Sequence, residues 1–307
     1  MICINTSFVY KGKKILLLLL IMITISKTHW SQKNEVGLLL GGANYFGDIG
    51  FKISKTRPAF GLFFKKHNQK KISFLFYLKN LTITADDSDT PEGPRRWRNL
   101  RFKNNLTEIS SSIQYNLIQK NDVRNKGKYN LKARINLHFG TSFFYHNPKG
   151  SIYGSSNWIN LAPLETENIK YSLFGIGILN GASINFNYNN FNFGIQLDYT
   201  KTFTDYLDDI STVFMDPASQ SEQTQIYANQ SSLGDIPPDK EIYFQAGNIR
   251  GNPENKDGYM NIGVRISRDL YIKNTYHSNK KLYRKNSKKY SQKQFKAPKA
   301  RILRASF

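Results

Sequence analysis

The segment LKARINLHF (residues 131–139) sets Leu131, Ala133, Ile135, Leu137 and Phe139 against Lys132, Arg134, Asn136 and His138 with no break in the alternation. A period of two puts every apolar side chain on one face of an extended strand and every polar one on the other, which no helix does. FNFGIQLDY (191–199) and MNIGVRIS (260–267) repeat the pattern. Weaker versions run over 36–45, 59–66, 72–84, 106–117 and 171–187. The reading is all-β with eight strands, and no amphipathic helix of ordinary length is expected between residues 32 and 272.

The connections narrow the architecture. Strands two and three are joined by HNQKK, six and seven by YNN, and four and five by the longer polar IQKNDVRNKGK. The others are FGDIGFKISKTRP, ADDSDTPEGPRRWRNLRFKNN, 146–170 and the longest, 202–258. Long connections at every second junction are what a transmembrane β-barrel shows, with short periplasmic turns and long external loops. The expected fold is therefore an eight-stranded antiparallel transmembrane β-barrel spanning 32–272.

The flanks agree with export. Residues 1–31 combine Lys11, Lys13 and Lys14 with the apolar run ILLLLLIMITI (15–25), the layout of a signal peptide. That run is short of the roughly 20 residues a membrane helix needs. Cleavage after Ser31 would remove the one cysteine, Cys3, leaving no thiol and no disulfide. The formal charge of +22 is concentrated at the other end, where 273–307 carry twelve basic residues and no acid. A like-charged tail of this kind is expected to be disordered and periplasmic, with Lys280, Lys281, Arg284, Lys285, Lys288 and Lys289 tethering an acidic envelope partner. Secretion argues against nucleic acid as that partner.

With apolar faces toward lipid, Lys79, Glu108, Lys132, Arg134, Asp198 and Arg265 should face the lumen. Glu108 is expected beside Lys132 and Arg134 on the next strand, and Asp198 beside Arg265. Eight strands leave an interior just wide enough for side chains, which predicts a plugged barrel and not a pore. Tyr45, Tyr77, Tyr115, Tyr145, Tyr171, Tyr199 and Tyr259 lie near strand ends, as aromatic girdles would place them, although β-propensity also enriches tyrosine.

KTFTDYLDDIS (201–211) gathers Asp205, Asp208 and Asp209 where strand seven leaves the membrane. They are expected at a water-exposed rim, ordering the loop through local backbone bonds or pairing with Arg95, Arg96, Arg98 or Arg250. GGANYFGDIG (41–50) lacks the helix and lysine of a phosphate loop, so its glycines read as bends or close packing. His67, His138, His146 and His277 show no metal-ligand spacing. No cofactor, metal or small-molecule substrate is expected, and the protein reads as noncatalytic. Two other classes stay open. One is a lipid-editing enzyme that would use His146 with Ser142 or Ser151 and one of the aspartates. The other is a surface receptor built on the long loops.

GLLLGGANYFGDIG, TRPAFGLF, DDSD followed by RNLRFKNNLTEIS, FYHNPKG, LAPLETE, YTKTFTDYLDDIS and RGNPENKDGYMNIGVRIS occur in this order between about residues 35 and 268. They resemble the successive segments of the PorG-like outer-membrane β-barrel family. The resemblance implies an integral outer-membrane component of the type IX secretion system, surrounded by lipid and associated with periplasmic ring and lipoprotein subunits. The basic tail and the stretch 215–245 lie outside the matching segments.

Overall fold

The computed structural model describes residues 33–50, 52–68, 71–120, 131–188, 190–233 and 236–271. The expected leader with Cys3 and the basic tail with Lys280, Lys281, Arg284, Lys285, Lys288 and Lys289 lie outside the described residues.

Eight long strands form the wall: β1 (Lys33–Phe46), β2 (Arg57–His67), β3 (Ile72–Asp86), β4 (Arg101–Lys120), β5 (Leu131–Tyr145), β8 (Phe174–Tyr188), β9 (Phe191–Thr202) and β10 (Gly258–Tyr271). Each bonds to the strands before and after it, and β1 meets β10, so the sheet is a closed eight-stranded antiparallel barrel. Closure leaves none of the eight as an open edge. Two short strands, β6 (Pro148–Gly150) and β7 (Ile159–Asn160), continue the sheet beyond the wall along the upper part of β4. The expected sixth strand starts later than its alternation suggested, at Phe174, because Tyr171 to Leu173 belong to the loop.

At the closing seam the backbones of β1 and β10 come close. A Cβ on Gly41 would lie 2.0 Å from the Ile262 carbonyl oxygen, and one on Gly263 would lie 2.8 Å from that of Leu40. For Gly41, close packing is the reason for a glycine.

The outward face is apolar all round. Leu38 and Leu40 on β1, Phe60 and Leu62 on β2, Ile109 on β4, Phe139 on β5, Ile195 on β9 and Val264 on β10 are all exposed, Phe139 to 61% and Ile109 to 62%. A continuous belt of this kind far exceeds the apolar patches that water-soluble monomers tolerate, so it calls for an apolar surrounding. Among the described residues no helix is long and apolar enough to cross a membrane, a statement about helices alone.

The interior is layered. Toward the long loops, Ala43, Tyr45, Leu81, Ile83, Phe102, Leu106, Phe144 and Tyr259 form an apolar layer. Below it lies a layer of charged and amide side chains, and below that Leu39, Phe63, Leu75 and Tyr77. The tyrosines divide by parity. Tyr115 and Tyr145 are exposed on the outer face, but Tyr45, Tyr77 and Tyr259 are buried inside and do not belong to a girdle. They share parity with Leu39, Leu75 and Asn261, which turns their hydroxyls to partners in the interior.

Candidate functional site

The charged layer ties opposite walls together. Lys79 Nζ on β3 lies 3.1 Å from Glu108 Oε1 on β4 and 3.1 Å from Asp198 Oδ2 on β9, the strand facing it across the barrel. His138 Nε2 on β5 is 2.7 Å from Asp198 Oδ1, and Gln196 Nε2 donates to both Asp198 oxygens at 2.8 and 2.9 Å. Tyr259 donates to Glu108 Oε2 at 2.8 Å and Tyr77 to Gln196 Oε1 at 2.6 Å. One lysine, two carboxylates and the groups fixing them fill the lumen at this height, and Lys79, Glu108 and Asp198 are all at most 2% exposed.

The expected partners of these charges need correction. Glu108 stands opposite Phe144 on β5, ten positions along the strand from Arg134, which stands opposite Gln119. At roughly 3.3 Å per residue that is about 33 Å, out of reach of any pair. Lys132 and Arg134 are half-buried and form no ion pair with a described residue. Asp198 faces Asn261 across the β9–β10 ladder, while Arg265 faces Gly194. Arg265 instead lies 3.8 Å from Glu35 Oε1 and stacks over Phe63 at 4.1 Å. Glu35 also accepts from Ser267 at 2.5 Å and lies 3.7 Å from Lys65. Height in the barrel, set by register, decides which charges meet.

The long loops fold together into a cap over the mouth. The KTFTDYLDDIS segment supplies its plug: Leu207 and Ile210 join the apolar layer between β1, β3 and β4, and Asn104 Nδ2 on β4 holds the Leu207 carbonyl at 2.7 Å. The aspartates of that segment are not at a water-exposed rim. Asp205, Asp208 and Asp209 are buried to 2% exposure or less, because the neighbouring apolar side chains draw the segment into the mouth. Their hydrogen bonds run to side chains and amides around them. Asp209, held at a φ of 71°, accepts from Thr166 Oγ1 at 2.6 Å and from Tyr171 at 2.6 Å. Asp205 accepts from Ser211 Oγ at 2.7 Å. Asp208 Oδ1 accepts from the Ile210 amide at 3.0 Å, and its Oδ2 lies 2.5 Å from the Tyr45 hydroxyl.

Two buried arginines lace the loops. Arg98 ends the short helix Pro94–Arg98, binds Asp87 through Nε at 2.7 Å and Nη2 at 3.0 Å, and donates to the carbonyls of Asp48 and Arg250. Arg250 Nη1 binds Glu167 Oε1 at 2.7 Å and the Asp209 carbonyl at 2.7 Å, while Nε takes the Ala228 carbonyl at 3.1 Å. Its Nη2 lies 4.0 Å from Asp209 Oδ2. Of the four arginines expected to meet the aspartates, Arg250 does so and Arg98 pairs with Asp87, whereas Arg95 and Arg96 are exposed.

The stretch 215–245 folds over this frame. Its helix Glu222–Ala228 is capped by Ser221 Oγ, which accepts from the Thr224 amide at 3.2 Å. Between the Pro94–Arg98 helix and the segment Pro238–Phe244 lies a cleft of about 580 Å³, lined by Pro94, Arg95, Phe214, Ile242, Tyr243 and Ile249.

Burial raises the carboxyls of both Asp205 and Asp209 to about 6. At Asp205 the Ser211 hydrogen bond opposes the rise, and at Asp209 the Arg250 charge and the Thr166 and Tyr171 hydrogen bonds do. Burial also lowers His146 to about 4, against its bond to the Ser172 carbonyl. Ser142 and Ser151 do not bond to His146. Its Nε2 lies 3.2 Å from that carbonyl, Ser151 Oγ bonds to Arg101 and the Ser155 carbonyl, and Ser142 sits inside the barrel. Among the described residues no group of three or more His, Cys, Asp or Glu could hold a metal ion.

Residues 13–213 match the model of a domain of unknown function, DUF6089. The chain belongs to this family. No curated protein matches it. Among solved structures it is similar to Ail, the attachment invasion locus protein of Yersinia pestis, solved alone and with the heparin analogue sucrose octasulfate. The identity is 11% and the TM-score 0.33, over 78% of this chain and 99% of that one. It is also similar to Neisserial surface protein A, at 9% identity and a TM-score of 0.31, over 78% of this chain and 98% of that one.

The sequence did not single out Glu35, Asp48, Asp87, Glu167 or Asp257. Parity exposes the first, since Glu35 alternates with Val36 and Leu38 on β1. The other four act from loops, where no periodicity marks an inward residue.

Proposed function

We infer that the protein is an integral outer-membrane barrel that serves as a noncatalytic anchor or scaffold in protein export through the type IX secretion system. The observation carrying this reading is the combination of an apolar outer belt with a lumen filled by the Lys79 layer. The belt suits lipid, and the filled lumen suits a fixed body better than a conduit. In such a membrane the short turns and both strand termini face the periplasm and the capped loops face outward. Periplasmic ring and lipoprotein subunits then meet the short-turn end, where residues 273–307 supply a basic tether. The ordered run of segments from GLLLGGANYFGDIG to RGNPENKDGYMNIGVRIS supports the secretion role.

The test is copurification from detergent-solubilised membranes together with deletion of the gene. Ring or lipoprotein subunits in the eluate and loss of secreted cargo are expected; unchanged secretion with no envelope partner would overturn the export role. Truncation after Ile272 should leave the barrel folded and weaken the partner, more so at high salt as exposed charges are screened.

The cleft beside Arg95 favours a second reading, a surface receptor acting through its loops. Under that reading Ile249→Asp and Arg95→Glu would abolish surface binding and leave secretion intact.

A further inference from the structure

One phenol inside the cap serves two acids. Tyr45 Oη lies 2.5 Å from Asp208 Oδ2 and 2.6 Å from Asp257 Oδ1, and it accepts the Asp48 amide at 3.0 Å. All three side chains are buried, with at most 1% exposure. A tyrosine hydroxyl has one proton to donate, and an ionised carboxylate has none. The phenol proton can serve only one of the two carboxyl contacts. The second short contact therefore requires a proton on a carboxyl.

Among the described residues no cation bonds to either carboxyl in place of that proton. The remaining oxygens take backbone amides, Asp208 Oδ1 from Ile210 at 3.0 Å and Asp257 Oδ2 from Leu207 at 2.9 Å. Arg98, from the β3–β4 loop, interacts electrostatically with Asp208, but its donors go to Asp87 and to the carbonyls of Asp48 and Arg250. Arg250 is committed to Glu167 and the Asp209 backbone, and Lys256 Nζ donates to the Pro253 carbonyl. The other facing groups are acids. Asp48 follows β1 and accepts the Asn252 amide, Asp205 accepts from Ser211, and Glu108 below takes Tyr259. Burial, followed by the charges of Asp257 and Asp48, holds the Asp208 carboxyl well above the ordinary range, and burial does the same for Asp257.

We propose that Tyr45, Asp208 and Asp257 form a proton-dependent latch that holds the β9–β10 connection on the barrel mouth and releases it when the shared proton is lost. Asp208 lies near the start of that connection and Asp257 is its last residue, so the latch draws both ends to β1. Leu207 and Ile210, whose amides feed the two carboxyls, are the side chains that plug the mouth. Losing the proton leaves two like charges on one phenol in a buried site, where each strongly disfavours the other. A carboxyl that holds its proton more tightly in the closed cap than in the open one favours closure on the acid side. That preference is lost as the pH rises through its raised value.

The latch is tested in full-length protein reconstituted in lipid vesicles. At about pH 8, where ordinary carboxyls are ionised, the infrared spectrum should contain the C=O stretch of a buried protonated carboxylic acid. Asp208→Asn and Asp257→Asn should each remove it. Hydrogen exchange at the Leu207 and Ile210 amides, corrected for its intrinsic pH dependence, should accelerate by up to about tenfold per pH unit on the alkaline side, the slope of one linked proton. Asp208→Asn, neutral throughout, should flatten that slope, and Tyr45→Phe should raise exchange at every pH. Heat-modifiable migration reports whether each variant still forms the barrel. Absence of the acid band in the unmodified protein, or an identical slope in Asp208→Asn, would overturn the latch.

Discussion

Asp198 and Asp208 are both buried to 2% exposure or less, yet they are satisfied by different means. In the wall, Asp198 is met by Lys79, His138 and Gln196, side chains that all come from strands. In the cap, Asp208 is met by a phenol and a backbone amide. The difference follows from where backbone donors are available. Strand amides are already spent on the ladder, so an acid in the lumen can be answered only by other side chains at the same height. Loop amides are uncommitted until the loop folds, so the cap can bury acids by turning N–H groups toward them. Glu167 shows it again, taking the amides of Ser211 and Thr212 together with Arg250.

This contrast can be broken from either side. The largest effect is expected from Lys79→Ala, which leaves Glu108 and Asp198 buried without their cation and should cost about 3–5 kcal/mol. Urea unfolding in vesicles would measure it, and Lys79→Ala together with Glu108→Gln should recover part of the loss. A smaller effect, about 2–4 kcal/mol if the position is near the midplane, is expected from Phe139→Lys on the belt. Equal tolerance of Phe139→Lys and of a polar change on a loop would show that the outer face does not meet lipid.

The cap should respond to pH through its buried acids. Because Asp209 is raised to about 6, its contribution to cap stability is complete below the ordinary carboxyl value and is lost as the pH rises through about 6. The difference between acid and neutral solution should be on the order of 2 kcal/mol. Amide exchange in 205–212 should therefore be slower at about pH 5 than at about pH 7 once intrinsic rates are removed, and Asp209→Asn should reduce the difference, leaving the part that belongs to Asp205, which is raised to about 6 as well. The smallest effect is expected from Lys52→Ala, which removes an exposed pair with Asp89 at 2.7 Å and should change stability by less than about 1 kcal/mol.

The wall was legible in the sequence because period two is a one-dimensional signal. Ile135, Ile195 and Val264 point outward and Lys79, Asp198 and Arg265 inward, as alternation requires. Partnership was not legible, because it depends on register across several strands. Glu108 was matched to Arg134 by strand adjacency, whereas the ladder sets them ten positions apart. The cap was least legible. A run such as TDYLDD looks like a solvated turn unless Leu207 and Ile210 are known to have a pocket to enter, and that pocket is built from Tyr45, Leu81 and Phe102, far away in the chain. The tyrosines misled for a related reason: a residue near a strand end suits a girdle or an interior donor equally well until its parity is counted.

The length of β4 has a mechanical consequence. Its twenty residues run from Arg101 to Lys120 with one shift of register against β5 between Asn116 and Ile118, about 66 Å of chain at roughly 3.3 Å per residue. Even at a tilt of about 45° that leaves some 47 Å along the normal, against a hydrocarbon core of about 30 Å. One strand therefore reaches from the short-turn end up into the cap, bonded along its flanks to β3, β5 and β6. A force applied along it at either end loads those ladders in shear, many hydrogen bonds at once, and does not peel them singly. β4 is thus the longest continuous tie between the short-turn end of the barrel and the cap.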